Sequence, residues 1–93
     1  MEYKIKIILS SLNDQPSYMT VDGEPLVIPG YEEFEFFIHN DFGRKLFVSE
    51  VSTGMGAGLY STKEAAIKAI QKKIKGKGIE ALRKLIADNK MPE

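Results

Sequence analysis

At 93 residues, with 43% apolar content, no cysteine and a formal net charge of zero, the chain reads as one globular domain with one core. The cysteine count excludes a disulfide framework and a thiolate metal site, no apolar run approaches the roughly 20 residues that cross a bilayer, and Met1-Glu2-Tyr3-Lys4 lacks the basic and apolar regions of a secretory leader, so the expected location is cytoplasmic. The zero balance conceals a polarity: residues 1–43 hold eight acids against two bases, residues 44–93 eleven bases against five acids, an asymmetry of −6 and +6 that either steers partners of opposite charge or is neutralised across the fold.

Tyr3, Ile5, Ile7 and Leu9 alternate with Lys4, Lys6 and Ile8, the period-2 pattern of a first strand with one buried face. Turn signals dominate from Ser10 to Gly30, with Asn13-Asp14-Gln15-Pro16, Asp22-Gly23-Glu24-Pro25 and Pro29-Gly30. Within that stretch Met19-Thr20-Val21 and Leu26-Val27-Ile28 flank Asp22-Gly23 and read as a short hairpin, restricted by Pro25 to a sheet edge. The alternative is a packed surface loop with a role in binding.

A clearer hairpin follows. Phe34, Phe36 and Ile38 face one way and Glu35, Phe37 and His39 the other, and Asn40-Asp41-Phe42-Gly43 turns the chain into Lys45-Leu46-Phe47-Val48-Ser49-Glu50-Val51. Aromatics on both faces predict a sheet packed on helices on one side and partly covered by the early loop on the other. Gly54, Gly56 and Gly58 supply positive φ and a reversal into a short strand, Gly58-Leu59-Tyr60.

From Thr62 the period becomes helical. Ser61 or Thr62 with Glu64 starts a helix, and Ile67, Ile70 and Ile74 with Ala66 and Ala69 form its apolar stripe. Gly76-Lys77-Gly78 breaks it, and Ile79, Leu82, Leu85 and Ile86 begin a second helix that ends near Asn89, before Pro92. The predicted fold class is α+β: an antiparallel sheet of four to five strands in residues 1–60, followed by two C-terminal helices packed on one face in residues 61–90.

The residues that can carry chemistry are few. His39 is the only histidine, so a metal site would need carboxylates for every other ligand. Glu35, four residues away, is out of direct reach along a strand that rises about 3.3 Å per residue. The expected role of His39 is structural, bonded to the adjacent turn or to Ser49 across the hairpin. The glycine series meets neither the GxxxxGK-Ser/Thr nor the GxGxxG phosphate pattern and reads as a turn. Glu32, Glu33 and Glu35 lack the spacing of a calcium loop and read as a solvated strand edge. No catalytic residue, metal or cofactor is expected, and the chain reads as a non-enzymatic binding protein. Lys68, Lys72 and Lys75 share one helix face, with Arg83 and Lys84 on the next helix. This basic set can meet nucleic-acid phosphates, with Tyr60 or Phe42 stacking, or simply keep the helices soluble.

Three fragments carry a resemblance: Phe36-Phe37-Ile38-His39; Leu46-Phe47-Val48-Ser49-Glu50 with Ser52-Thr53-Gly54; and Gly58 with Ser61-Thr62-Lys63 and Ala66-Ile67. Together they resemble small, uncharacterised accessory proteins of phages and mobile elements of Gram-positive bacteria, over about residues 25–90, with Phe47 where those proteins usually have Trp. Residues Gly58 to Ala65 also resemble the strand-to-helix junction of the arm-binding domain of tyrosine recombinases, whose strands are rich in Arg and Lys where this chain has Glu32, Glu33, Glu35 and Glu50. The first resemblance implies a protein that binds a host or phage macromolecule in the host-cell cytoplasm. Its sharpest version is an anti-CRISPR-like inhibitor of a defence nuclease, with Glu24, Glu32, Glu33, Glu35 and Asp41 as the acidic partner-binding surface. The alternative is a nucleic-acid-binding module using Lys68, Lys72, Lys75, Arg83 and Lys84.

Overall fold

The computed structural model describes residues 1–7, 17–40 and 45–91. Leu9, the Asn13–Pro16 turn signal, the Asn40–Gly43 turn beyond its first residue, Asp41, Phe42 and Pro92 lie outside them. The element order is β1 (Glu2–Ile7), β2 (Ser17–Asp22), β3 (Glu24–Leu26), β4 (Phe36–Asn40), β5 (Leu46–Glu50), β6 (Gly56–Tyr60), α1 (Lys63–Lys77) and α2 (Ile79–Asp88). Strands β1 and β2 form a two-stranded antiparallel sheet, and β3-β4-β5-β6 form a four-stranded antiparallel sheet in that order. The α+β class and the paired C-terminal helices are as the sequence patterns predict.

The layering follows from strand alternation. Phe36 and Ile38 of β4 and Val48 of β5 point to the helices, where they pack with Leu26, Ile28, Phe34 and the α1 residues Ala66, Ile70 and Ile74 in one buried cluster. Their neighbours in β4 and β5 point to the opposite face. There Phe37 is completely buried and stacks on Tyr3 of β1, ring centroids 4.2 Å apart and planes 5° from parallel. The cover on that face is therefore a paired hairpin, β1 with β2, rather than a loop.

The expected hairpin across Asp22-Gly23 does not form. Val21 pairs with Tyr3 in one sheet, while Leu26 pairs with Phe36 in the other, so Gly23 links the two sheets. A Cβ on Gly23 would lie 2.6 Å from the Ile38 carbonyl oxygen, and only glycine lets the backbone pass so close to β4. Pro25 does sit where its missing N–H is tolerated, in an edge strand. Residues Tyr31 to Glu35, expected in part as strand, instead form turns: the Tyr31 N–H donates to the Ile28 carbonyl and the Phe34 N–H to the Tyr31 carbonyl. Those turns bury Ile28 and Phe34 and leave Glu32, Glu33 and Glu35 exposed.

The junction between β5 and β6 is built around Glu50, only 7% exposed. Its carboxylate accepts from the backbone N–H of Ser52 (2.9 Å) and Thr53 (2.8 Å) and from the Ser52 hydroxyl. Charge-assisted bonds of this kind contribute about 1.5–3 kcal/mol each. Gly54 and Gly58 take positive φ. At Gly54 the carbonyl accepts from the Lys6 N–H, and a Cβ would stand 3.0 Å from the Lys4 carbonyl oxygen and the Lys6 nitrogen, so the turn docks directly on β1. A register shift between Val48 and Ser49 places Gly56 and Gly58, but not Ala57, in the ladder, and the Ala57 carbonyl accepts from the Tyr60 hydroxyl and the Lys73 ammonium.

Thr62 caps α1, its hydroxyl accepting from the Ala65 N–H at 3.1 Å. The helix runs through Gly76 and breaks at Gly78, whose N–H donates to the Ile74 carbonyl, two residues later than the first glycine signal. Helix α2 then packs mainly against α1, its C-terminal side tied down by the Met91 N–H donating to the Ser52 carbonyl.

Candidate functional site

The structure distributes the five acidic candidates unequally. Glu24 is exposed and pairs with Lys63 at 2.7 Å. Glu33 forms a bidentate pair with Arg83, 2.9 Å to Nε and 2.7 Å to Nη2. That hydrogen-bonding, reinforced by the guanidinium charge, holds the Glu33 carboxyl below the ordinary carboxylate value and raises Arg83. Glu32 and Glu35 are exposed and enter no ion pair among the described residues, and Asp41 lies outside the described residues. Because both Glu24–Lys63 and Glu33–Arg83 join the acidic half of the chain to the basic half, part of the −6/+6 polarity is cancelled in place.

Of the basic candidates Arg83 is already engaged, since Glu80 as well as Glu33 holds its guanidinium. Lys68, Lys72 and Lys75 stand exposed on α1 opposite its buried residues, and Lys84 is exposed on α2. None of these four lysines is in an ion pair among the described residues. Tyr60, a stacking candidate, is engaged locally: its hydroxyl donates to the Ala57 carbonyl, and the Lys73 ammonium lies 5.9 Å from its ring centroid.

His39 is half-buried, with its ring tilted against Phe37 and Phe47 at centroid distances of 6.2 and 5.2 Å. Its cross-strand neighbour is Phe47, and Ser49 lies opposite Phe37, which corrects the Ser49 alternative; the other alternative, the adjacent turn, lies outside the described residues beyond Asn40. Fully buried Ser49 has no hydrogen-bond partner for its hydroxyl among the described residues. Among the described residues no three His, Asp or Glu side chains are grouped to hold a metal ion.

Three surface clefts matter. The first, about 320 Å³ between the Tyr31–Glu35 turn and α2, holds Glu33, Glu35, Glu50, Ser52, Arg83 and Lys90. Two of its carboxylates are already engaged: Glu33 by Arg83, and Glu50 by the Ser52 and Thr53 donors. The second, about 450 Å³, is walled by Met1, Pro25, Val27 and Phe34, with Glu32 and Glu35 as its only charged side chains among the described residues and the Met1 ammonium held by Asp22 at 3.3 Å. Met1 and Val27 are 75% and 64% exposed there, so an apolar floor meets an unpaired acidic rim. The third, about 400 Å³ between β6, α1 and α2, is apolar, with Lys73 and Lys77 as its only charged lining among the described residues.

Sequence reasoning missed the roles of Glu50, Lys73 and Lys77. The signal for Glu50 was present: a carboxylate at a strand end, followed two and three residues later by Ser52 and Thr53, whose N–H groups have no ladder to join. Lys73 and Lys77, at i and i+4, flank the buried stripe of α1 rather than opposing it, and their importance depends on where α2 lies.

Compared with protein-family models, curated proteins and solved structures, the chain matches none. No described helix is long and apolar enough to cross a membrane.

Proposed function

We propose that this chain is a small non-enzymatic binding protein that receives an apolar, basic segment of a protein partner on the cleft beside Glu32 and Glu35. The observation that carries the reading is the coincidence of an exposed apolar floor, Met1 and Val27, with two carboxylates that no ion pair within the described residues neutralises. Apolar contact supplies affinity and the carboxylate rim supplies orientation and encounter rate. The sharpest form of the proposal, motivated by the resemblance to phage and mobile-element accessory proteins, is an anti-CRISPR-like inhibitor that engages a defence nuclease beside its basic nucleic-acid channel. With Glu24 and Glu33 tied to Lys63 and Arg83, the acidic surface acts as a local rim rather than as a continuous mimic of a phosphate backbone.

The test is affinity capture from a host lysate with the wild type, with the Glu32→Lys/Glu35→Lys double variant, and with a Glu64→Lys/Asp88→Lys variant of the same net charge. A partner held by the wild type and the control but lost by Glu32→Lys/Glu35→Lys supports the cleft. Identical captures from all three proteins overturn it.

A second reading uses Lys68, Lys72 and Lys75, which are exposed and carry no partner carboxylate among the described residues. Three phosphate contacts give a salt dependence with a slope of only about −2 to −3, which describes weak, sequence-independent binding. Failure to shift single- or double-stranded DNA at low salt removes this reading.

A further inference from the structure

Helix α2 is amphipathic, yet none of its residues is buried. Ile79, Leu82 and Ile86 are only half-covered by the core, and Leu85 is 41% exposed. An apolar stripe normally gains its stability by burial, so a stripe left this open marks packing that the chain does not complete by itself. The stripe borders the groove of about 400 Å³ whose floor includes Ile70, Ile74 and Leu82, with Leu85 at its margin and Lys73 and Lys77 as its only charges among the described residues. The Lys73 ammonium donates to the Ala57 carbonyl at 2.8 Å, which places its charge at the β6 side of the groove.

The geometry points to this groove as a docking site for an acidic amphipathic segment of a protein partner, with apolar side chains seated between α1 and α2 and carboxylates meeting Lys73 and Lys77. Charge complementarity selects the sign: among the described residues no carboxylate lines the groove, so a basic segment would meet only like charge there. Extent selects the class, because the lining residues of α1 from Ile70 to Lys77 run for about 10 Å at 1.5 Å per residue, which suits the anchors of a helix laid into a groove. The surface is distinct from the Glu32–Glu35 cleft, so the two proposals succeed or fail separately.

The probe is a fluorescein-labelled synthetic amphipathic helix of Leu, Ala and Glu, titrated with the intact protein and followed by anisotropy, with amide shifts in two-dimensional NMR locating the site. Its counterpart carries Lys in place of Glu. The expected result is saturable binding of the Glu peptide, shifts at Lys77, Ala81, Leu82 and Leu85, and little binding of the Lys peptide. Leu85→Glu weakens the Glu peptide by about tenfold or more, Lys77→Glu weakens it by about threefold or more, and Lys4→Glu, which makes the same charge change on β1, leaves it unaltered. Leu85 and Lys77 are exposed, and circular dichroism verifies that both variants stay folded. Equal binding of the two peptides, shifts confined to the Lys68–Lys75 face, or no saturable binding overturns the proposal.

Discussion

Helices α1 and α2 are separated by Gly78 alone, and each carries an apolar stripe, yet the fold uses them differently. Helix α1 buries Ala66, Ile70 and Ile74 against the sheet and starts on a side-chain cap from Thr62. Helix α2 buries nothing completely, starts without a side-chain cap, and is positioned by two tethers: Arg83 to Glu33, and the Met91 N–H to the Ser52 carbonyl. Amphipathic periodicity therefore marks a scaffold element in one case and an exposed surface in the other. What separates them is how much of the sheet each can reach: α1 contacts β5 and β6, and α2 meets mainly α1.

The largest effect that tests this contrast comes from the core. Ile70→Ala removes a side chain only 2% exposed and is expected to lower stability by about 2–5 kcal/mol. Leu85→Ala, at 41% exposure, is expected to cost no more than about 1 kcal/mol, since much of that side chain is already in water. Urea denaturation of both variants measures the difference, and equal losses would break the contrast. An intermediate effect is expected at the cap. Thr62→Ala leaves the Ala65 N–H without its acceptor and lowers stability by about 1 kcal/mol, while Thr62→Ser retains most of it.

The smallest effect concerns the tether on α2. Arg83 holds the Glu33 carboxyl below its ordinary value, so the native state binds a proton there less readily than the unfolded chain does. The Glu33 contribution is therefore complete above the ordinary Glu value of about 4.3 and is lost as pH falls through the lower folded value. The urea midpoints of wild type and Glu33→Gln are expected to differ by a constant amount near neutral pH and to converge in acid. A difference that grows on acidification would show that Glu33 does not stabilise the fold through Arg83. The pair is half-exposed, which keeps the effect small.

Much of this architecture was legible in local pattern. The β4–β5 pairing, the return through Gly58-Leu59-Tyr60, the Thr62 cap and both helical stripes follow from side-chain period and backbone chemistry, which neighbouring residues alone specify. The Asp22-Gly23 hairpin was misread because a turn signal marks where a chain bends and not which strand it then joins. Gly23 serves a close approach to Ile38, and Val21 and Leu26 find partners in different sheets.

The sequence by itself determined the α+β class, the order of strands before helices, and the division of charge between the two halves, because periodicity and composition are properties of the chain. Tertiary structure alone decided which charges are spent and which stay available. Glu33 and Arg83 are 50 residues apart and only the packing of α2 on the Tyr31–Glu35 turn joins them. The same packing leaves Glu32 and Glu35 unpaired among the described residues beside one apolar cleft, and Lys73 and Lys77 beside another. Long-range electrostatic pairing depends on distances of a few ångströms that no local pattern encodes.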